Sequence, residues 1–240
     1  MVTRPRRRAE PHDYLVLQGA NLAPDGPSAD EAGEEVPLEL IALPRWKRAM
    51  DVVLASLALL ALAPLFVVVA AVVRLDSRGP AFFRQARVGA GGRPFTCFKF
   101  RSMYVDAEAR LEFLAHLNEA TGHVFKIRDD PRRTRVGKIL RKTSVDELPQ
   151  FWNVVRGDMT LVGPRPPLPA EVEHYGPNDK ARLRGVPGIT GPWQVSAREH
   201  HDFEEMLDLD LEYLENISFM NDCRILLATV PAVLRARGSH

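Results

Sequence analysis

The stretch that decides the fold is VVLASLALLALAPLFVVVAAVV, residues 52–73, which contains no charged side chain. As a helix rising ~1.5 Å per residue it would reach about 33 Å, enough to cross the hydrocarbon core of a bilayer. Helices in soluble cores are rarely apolar on every side over such a length. The stretch therefore predicts a membrane helix.

The flanks and the centre of this helix leave two placements open. Both flanks are basic, with Arg45, Lys47 and Arg48 before the stretch and Arg74 and Arg78 after it. Lys and Arg accumulate on the cytoplasmic side of a membrane. Pro64, near the centre, removes one backbone hydrogen bond. A re-entrant hairpin of two half-helices broken at Pro64 fits this pattern, and so does a Pro-kinked helix that spans the bilayer. The polar chain before the stretch favours re-entry.

Asp51 places a negative charge directly before this charge-free stretch. An unpaired charge is costly there. We therefore expect Asp51 to pair with Arg45, Arg48 or an arginine of the returning chain.

Composition limits the classes of function. A net charge of +1, from 32 basic and 31 acidic residues, gives no field that attracts nucleic acid, so no nucleic-acid partner is expected. Cys97 and Cys223, the two cysteines, fit no disulfide scaffold or metal spacing and indicate reduced thiols. Residues 1–43 have a basic head and a Pro-, Gly- and acid-rich continuation, which predicts a disordered tail.

The rest of the chain predicts an α+β fold that is mainly helical. Short β-like runs around GAGG in residues 79–105 predict a small β-hairpin. Helical spacing predicts an amphipathic helix over 106–119, on the core or on the membrane surface, and a helix over 202–217. An apolar stretch with basic ends predicts an interfacial helix over 222–237, whereas Gly and Pro predict loops at 157–169 and 186–198.

The segment KTSVDELPQFWNVV, residues 142–155, holds two adjacent acids, Asp146 and Glu147, before an apolar run. Ser144 and Glu147 match a capping box at a helix start. Pro149 fits better in the first turn of a helix that begins at Asp146. In either case the acids lie at a helix N-terminus, which favours an ionised carboxylate and an incoming phosphate.

A cluster of basic residues surrounds these acids and suggests a phosphate-bearing substrate. It comprises Arg132, Arg133, Arg135, Lys138, Arg141 and Lys142, with Arg165 in a later Pro-locked loop. Arg presents a planar fork to phosphate oxygens, and carboxylates hold a divalent cation against phosphate. The alternative is a solvated basic face with surface ion pairs.

Two further patterns resemble sites but are weaker. The pair Asp208–Asp210 looks like a metal-binding pair, yet its positions in a helix point to different faces. His200 and His201 are adjacent and lack ligand partners at helical spacing, so we interpret them as loop residues.

Four segments together resemble the bacterial sugar transferases, the monotopic phosphoglycosyltransferases of the polyprenyl-phosphate type. They are KRAMDVVLASLALLALAPL, GPAFFRQARVGAGGRPFTCFKFRSM, DDPRRTRVGKILRKTSVDELPQFWNVVRGDMTLVGPRPPLP and PGITGPWQVSAR. The resemblance runs over residues 45–235, in order and spacing. It implies a re-entrant helix over 44–78, broken at Pro64, and a catalytic domain over 79–240 on the cytoplasmic face of the bacterial inner membrane.

The resemblance also implies a reaction. A nucleoside diphosphate sugar, first of all a UDP-hexose, gives its sugar 1-phosphate to undecaprenyl phosphate and releases the nucleoside monophosphate. Asp146 maps to the nucleophile that forms a covalent phosphosugar intermediate. Glu147 maps to the partner that helps to hold Mg²⁺.

Substrate-binding residues follow from the same resemblance. Arg165 and Pro166 belong to the GPRP loop near the donor phosphates, and Arg141 matches an arginine that meets phosphate. We assign four more residues to substrate binding: Lys99, Arg101, Gln150 and Arg198. Ala63 stands where relatives often have Ser, and Ala197 where many have Gly.

Two other classes of function remain open at this point. One is a membrane transferase that acts by single displacement, and the other is a non-catalytic, membrane-anchored interaction protein. Membrane lipid is an expected partner in each case. The sequence leaves the oligomeric state open between a monomer and a homodimer.

Overall fold

The computed structural model describes residues 38–110, 113–114, 127, 130–196 and 203–235. The first element, α1, is Arg45–Asp76, a 32-residue helix that continues through Pro64. It is long and apolar enough to cross a membrane by length and composition. No non-helical residue separates the two halves of α1 at Pro64, and the re-entrant hairpin stays a prediction. Loss of one hydrogen bond at Pro64 does not end the helix, because neighbouring turns keep theirs.

Both ends of α1 pack against the rest of the chain. Near its start, Lys47, Asp51 and Ala55 are buried, and near its end so are Val69 and Val73. The middle of the helix is open, with Leu60 74% and Val67 72% exposed. Two cores result, one joined by Ala55 and the other built on Val69, Val73, Phe100 and Leu140.

Asp51 does not pair with an arginine as expected. Its carboxylate is fully buried and accepts hydrogen bonds from Thr160 Oγ1 at 2.5 Å and from the backbone N–H of Leu161 at 3.0 Å. Arg48 instead donates to the carbonyls of Val154 and Val155. The second turn of α1 faces the domain, so the Leu161 N–H and the Thr160 hydroxyl serve as the hydrogen-bond partners of Asp51.

The predicted hairpin is confirmed. Strand β1, Phe82–Val88, pairs antiparallel with β2, Pro94–Phe100, from Phe82 opposite Phe100 to Val88 opposite Pro94. A 3₁₀ turn, Ala90–Gly92, joins them, and Gly91 and Gly92 have the positive φ angles that such a turn needs.

The helices α2, Arg135–Lys142, and α3, Gln150–Arg156, flank the acid pair. Thr134 caps α2 by accepting the N–H of Gly137, and Asp76 from the end of α1 accepts the N–H of Val136. Gly137 is required there, since a Cβ would lie 1.9 Å from the Ser102 carbonyl oxygen. Helix α2 is thus seated on both α1 and the end of the hairpin.

The two segments predicted as loops contain regular structure. Strand β3, Thr160–Val162, pairs in parallel with β4, Gly188–Thr190. Short helices follow each strand: α4, Pro169–Val172, and α5, Pro177–Lys180, after β3, and α6, Pro192–Ser196, after β4. Pairing between distant segments forms these strands, which explains why local Gly and Pro content predicted loops.

The C-terminal helices are α7, Phe203–Glu215, and α8, Phe219–Arg235. They confirm the helices expected over 202–217 and 222–237. Residues 106–110 form turns instead of the expected helix, and most of that helix lies outside the described residues. Arg198, His200 and His201 also lie outside them. The described fold is mainly helical with two small sheets, in agreement with the α+β class.

Candidate active site

The acid pair sits on a short turn between α2 and α3. After α2, Ser144 adopts the left-handed conformation, with φ 56° and ψ 18°, and turns the chain into a 3₁₀ helix, Val145–Glu147. The Ser144 side chain makes no cap hydrogen bond, and Pro149 is the residue before α3. The expected capping box at Ser144 is therefore wrong, and so is the expected cap at Asp146. Pro149 suits its place because no N–H is needed there.

Glu147 forms an ion pair across the site with Lys99 of β2. Lys99 Nζ lies 2.8 Å from Glu147 Oε1. Loss of solvent around the Glu147 carboxyl opposes its ionisation, but the cations of Lys99, Arg165 and Arg87 outweigh this and lower its pKa to about 2. Glu147 is thus held as a carboxylate, and Lys99 contacts the acid pair through it.

Asp146 behaves in the opposite way. Burial and the neighbouring charge of Glu147 raise the pKa of Asp146 to about 6, against the attraction of Lys99 and Arg141. We expected the helix start to favour the carboxylate; burial and Glu147 oppose this, so the ionised form of Asp146 predominates only above about pH 6. Only 6% of Asp146 is exposed, so lost hydration dominates. Two adjacent acids with separated pKa values are typical of catalytic pairs.

Arg141 and Arg165 act on these acids through their charge. Arg141, in the last turn of α2, favours the charged form of Asp146, and Arg165 favours that of Glu147. Pro166 follows in the Gly163–Pro166 loop directly after β3. Its carbonyl accepts a hydrogen bond from Arg87 Nη1 at 2.8 Å. Cations from two separate segments therefore face the acid pair, as a phosphate-bearing ligand requires.

Arg87 is a residue of the site that the sequence argument missed. It is 6% exposed and also donates to Gln85 Oε1, and burial together with the repulsion of Arg165 lowers its pKa to about 10. Arg87 thus joins β1 to the Gly163–Pro166 loop. Arg84, on the same strand, is exposed and lies over the Phe98 ring. No signal in the sequence separates these two arginines.

Asn153 is a second missed residue. Its fully buried amide accepts the N–H of Phe98 at 3.0 Å and donates to the Thr96 carbonyl at 2.6 Å and to Asp158 Oδ2 at 3.1 Å. The side chain pairs with the edge of β2 as a neighbouring strand would. Asn153 therefore fixes α3 against β2 and sets the approach of Lys99 to Glu147.

Arg101 does not belong to the substrate site, contrary to expectation. Its buried guanidinium donates to the carbonyls of Pro80, Arg78, Ser77 and Val73, at 2.7, 2.9, 2.8 and 3.4 Å. These carbonyls lie at and just beyond the end of α1, where backbone acceptors lack helical partners. Arg101 is thus a structural clamp on the membrane helix. Gln150 is buried as the first residue of α3, and its role in binding stays a prediction.

The Asp208–Asp210 pair is not a metal site. Asp210 is fully buried and accepts from Arg182 Nη2 at 2.6 Å, while Asp208 is exposed on another face of α7. Arg182 also donates to the carbonyl of Arg165 at 3.2 Å. The acid therefore helps to hold the Arg165 loop through Arg182.

Among the described residues, no group of three or more His, Cys, Asp and Glu side chains could hold a metal ion by itself. Mg²⁺ is commonly bound by one or two carboxylates together with substrate phosphates and water. Asp146 and Glu147 are adjacent carboxylates and Glu147 is held ionised, so the donor set fits Mg²⁺ only when a phosphate ligand completes it.

Comparisons with known proteins identify the family of this chain. The family model described as "Bacterial sugar transferase" matches residues 43–236. The exopolysaccharide production protein ExoY of Sinorhizobium fredii is 41% identical over 198 residues, which is 81% of this chain and 88% of that protein. The UDP-glucose:undecaprenyl-phosphate glucose-1-phosphate transferase of Caulobacter vibrioides is 40% identical over 213 residues, 85% of this chain and 75% of that protein.

Other relatives are longer. The galactosyl transferase CpsE of Streptococcus agalactiae is 47% identical over 195 residues, which is 80% of this chain but 43% of that protein. The chain thus spans less than half of that relative. The match to the family model covers α1, the acid pair, the Arg165 loop and the C-terminal helices, and on this basis the chain belongs to the bacterial sugar transferase family.

Proposed function

We propose that this protein transfers a sugar 1-phosphate from a nucleoside diphosphate sugar, a UDP-hexose, to undecaprenyl phosphate through a covalent intermediate on Asp146. One observation carries the proposal: Asp146 is buried beside the ionised Glu147–Lys99 pair, and Arg141 and Arg165 face these acids. The names of the relatives from Caulobacter vibrioides and Salmonella typhimurium, a glucose-1-phosphate transferase and a galactose phosphotransferase, support the substrates.

The first step would form the intermediate. A carboxylate oxygen of Asp146 attacks the sugar-side phosphorus of the donor, and the bond from that phosphorus to the bridging oxygen breaks. The nucleoside monophosphate leaves with the electron pair. Arg165 and Arg141 offset the negative charge of the phosphates. Lys99 holds Glu147 ionised beside the reacting carboxylate.

The second step would regenerate the enzyme. A phosphate oxygen of undecaprenyl phosphate attacks the same phosphorus, and the acyl–phosphate bond breaks to release the Asp146 carboxylate and the lipid diphosphosugar. A covalent carrier allows a soluble and a membrane-bound substrate to use one site in turn. Asp146 and Glu147 would hold Mg²⁺, which when bound neutralises charge on the donor phosphates.

The decisive experiment omits the lipid. Incubated with UDP-glucose or UDP-galactose alone, the protein should gain a hexose phosphate on Asp146, detected by mass spectrometry. It should also exchange labelled uridine monophosphate into the donor. Asp146→Asn should abolish both signals while the protein stays folded in the membrane, and Asp208→Asn, an exposed acid on α7, serves as the control.

Each alternative has its own outcome in this experiment. Lipid-dependent turnover without exchange or adduct would establish single displacement instead. An absence of turnover with any nucleotide sugar, in a folded protein with lipid and Mg²⁺, would favour the interaction protein. A burial that raises the pKa of Asp146 argues against a carboxylate kept only as a cap, since capping acids are stabilised in the charged form.

We also infer that α1 re-enters the cytoplasmic side of the inner membrane. The buried residues near its two ends join two separate cores, and strand β2 contributes to both, Cys97 to the core with Ala55 and Phe100 to the core with Val69 and Val73. Residues 56–68 between them hold no buried side chain. As a helix these reach about 20 Å, too short for a hydrocarbon core of about 30 Å. Insertion of this central segment with both packed ends on one side requires α1 to bend, and Pro64 in the middle of the segment is the residue at which it would do so.

Topology reporters test the re-entry. Fusions at residue 1 and after residue 240 should both report the cytoplasm, with active-site chemistry on that side. A reporter found in the periplasm at one end only would establish a spanning helix. Loss of activity in either fusion would be checked against the untagged protein, so that a misfolded fusion is not counted.

A further inference from the structure

Asp51, the charge at the mouth of the membrane helix, is bound to the strand that leads into the site. Asp51 is fully buried, and both of its oxygens accept hydrogen bonds from β3, Oδ2 from the Thr160 hydroxyl and Oδ1 from the N–H of Leu161. A buried carboxylate is stable only when such donors replace its hydration. The first turns of α1 are therefore fastened to β3.

A second buried group from α1 reaches the same strand through two intermediaries. Lys47 Nζ lies 2.5 Å from Asp222 Oδ2 of α8. The hydroxyl of Tyr213 lies 2.7 Å from Asp222 Oδ1 and 3.0 Å from the Val162 carbonyl. Asp51 of α1 thus contacts Thr160 and Leu161 directly, and Lys47 of α1 is linked to Val162 through Asp222 and Tyr213.

Strand β3 continues directly into the Gly163–Pro166 loop, which carries Arg165. The loop begins tightly against β4, because Gly163 donates to the Thr190 carbonyl and a Cβ on Gly163 would lie 2.6 Å from the Val186 carbonyl. Strand β3 is thus joined to the loop through a tightly packed residue, two positions before Arg165.

We propose that Asp51 is a positioning residue for the donor: by holding β3, it sets where Arg165 meets the donor diphosphate. The inference rests on the proposed function, which supplies the ligand. It implies that the donor binds well only when α1 is packed against β3. Asp51 touches neither substrate in this role. The apolar helix and the phosphate-binding loop would then act as one unit.

The test uses the full chain in lipid nanodiscs and compares Asp51→Asn, Thr160→Val and the surface control Asp208→Ala. Donor KM is measured with UDP-glucose at saturating lipid, and lipid KM at saturating donor. Asp51→Asn and Thr160→Val should raise donor KM about tenfold and leave lipid KM within about twofold. Asp208→Ala should change neither.

Arg165→Ala provides the readout that a purely structural role would not move. If Asp51 acts through Arg165, adding Asp51→Asn to Arg165→Ala should raise donor KM by less than about twofold further. An effect as large as in the wild-type background would overturn the proposal. An unchanged donor KM in folded Thr160→Val would also overturn the proposal. This variant decides the test if Asp51→Asn fails to fold.

Amide hydrogen exchange separates this inference from the proposed function. Thr160→Val should speed exchange at Leu161 and Gly163, whose N–H groups donate to Asp51 and Thr190, relative to the wild type and without any substrate present, whereas Asp208→Ala should not. Faster exchange in a protein that turns over no UDP-sugar would leave the coupling standing and reject the proposed function. Unchanged exchange would reject the coupling itself.

Discussion

Lys99 and Glu147, 48 positions apart in the chain, form an ion pair of 2.8 Å next to the buried carboxyl of Asp146. The pair separates the two adjacent acids electrostatically, with the pKa of Glu147 lowered and that of Asp146 raised. One acid is fixed as a charge, and the other is left as the group whose protonation changes near neutral pH.

Lys99→Met should move the acidic limb of the pH–activity profile to higher pH. Lys99 lowers the pKa of both acids, so its removal lets both rise and reduces the ionised fraction of Asp146. We expect the limb to shift upward by roughly one pH unit, so that donor-only exchange falls by about twofold at pH 7 and by about tenfold at pH 5. Lys99→Arg keeps the positive charge and should restore most of the activity. An unshifted limb in Lys99→Met would show that the pair does not control the reacting carboxylate.

Asp146→Asn should stabilise the protein at neutral pH although it abolishes transfer. A carboxyl whose folded pKa is raised is favourable to folding when protonated, and this contribution is lost as pH rises through about 6. At pH 7.5 the wild type therefore carries a buried charge that Asn removes, a difference on the order of 2–3 kcal/mol. Thermal unfolding at pH 7.5 and pH 4 should show a higher Tm for the variant only at pH 7.5. A gap that widens on acidification would contradict the assigned pKa direction.

Arg101→Lys should lower stability without weakening donor binding. Lysine reaches fewer of the four carbonyls at the end of α1, and unsatisfied buried acceptors cost about 1–3 kcal/mol each. We expect a lower Tm and an unchanged donor KM in the folded fraction. Arg165→Lys is the matched comparison, with a near wild-type Tm and a raised donor KM. A raised donor KM in Arg101→Lys with wild-type Tm would return Arg101 to the substrate site.

Ser144 is expected to tolerate Gly and to reject Val. Ser144 has φ 56°, a conformation that costs an L-residue about 1–2 kcal/mol and a β-branched residue more, whereas Gly adopts it freely. Ser144→Gly should keep activity and Tm close to wild type. Ser144→Val should lower both, because the turn that presents Asp146 and Glu147 must change. Lys142→Val, at an exposed helical position two residues earlier, is the control for the effect of added branching on Tm. Equal effects at both positions would remove the argument from backbone conformation.

Local sequence determined the elements whose cause is local. The charge-free run at 52–73 specified the long apolar helix, GAGG specified the hairpin turn, and adjacency alone placed Asp146 beside Glu147. Periodicity and backbone limits act over a few residues, so a single stretch of sequence contains the whole cause.

Only the tertiary structure decided which partners meet. Asn153 contacts Phe98, 55 positions away in the chain, and Asp51 contacts Thr160, 109 positions away. No local sequence pattern predicts either contact. The same holds for Arg101, which looked like a phosphate ligand and instead clamps a helix end. Burial, which depends on the packing of distant segments, is also the largest cause of the raised pKa of Asp146, and the distant Lys99 opposes it. Residue type determines which chemistry is available, whereas solvent exclusion and packing of distant segments determine which residue performs it.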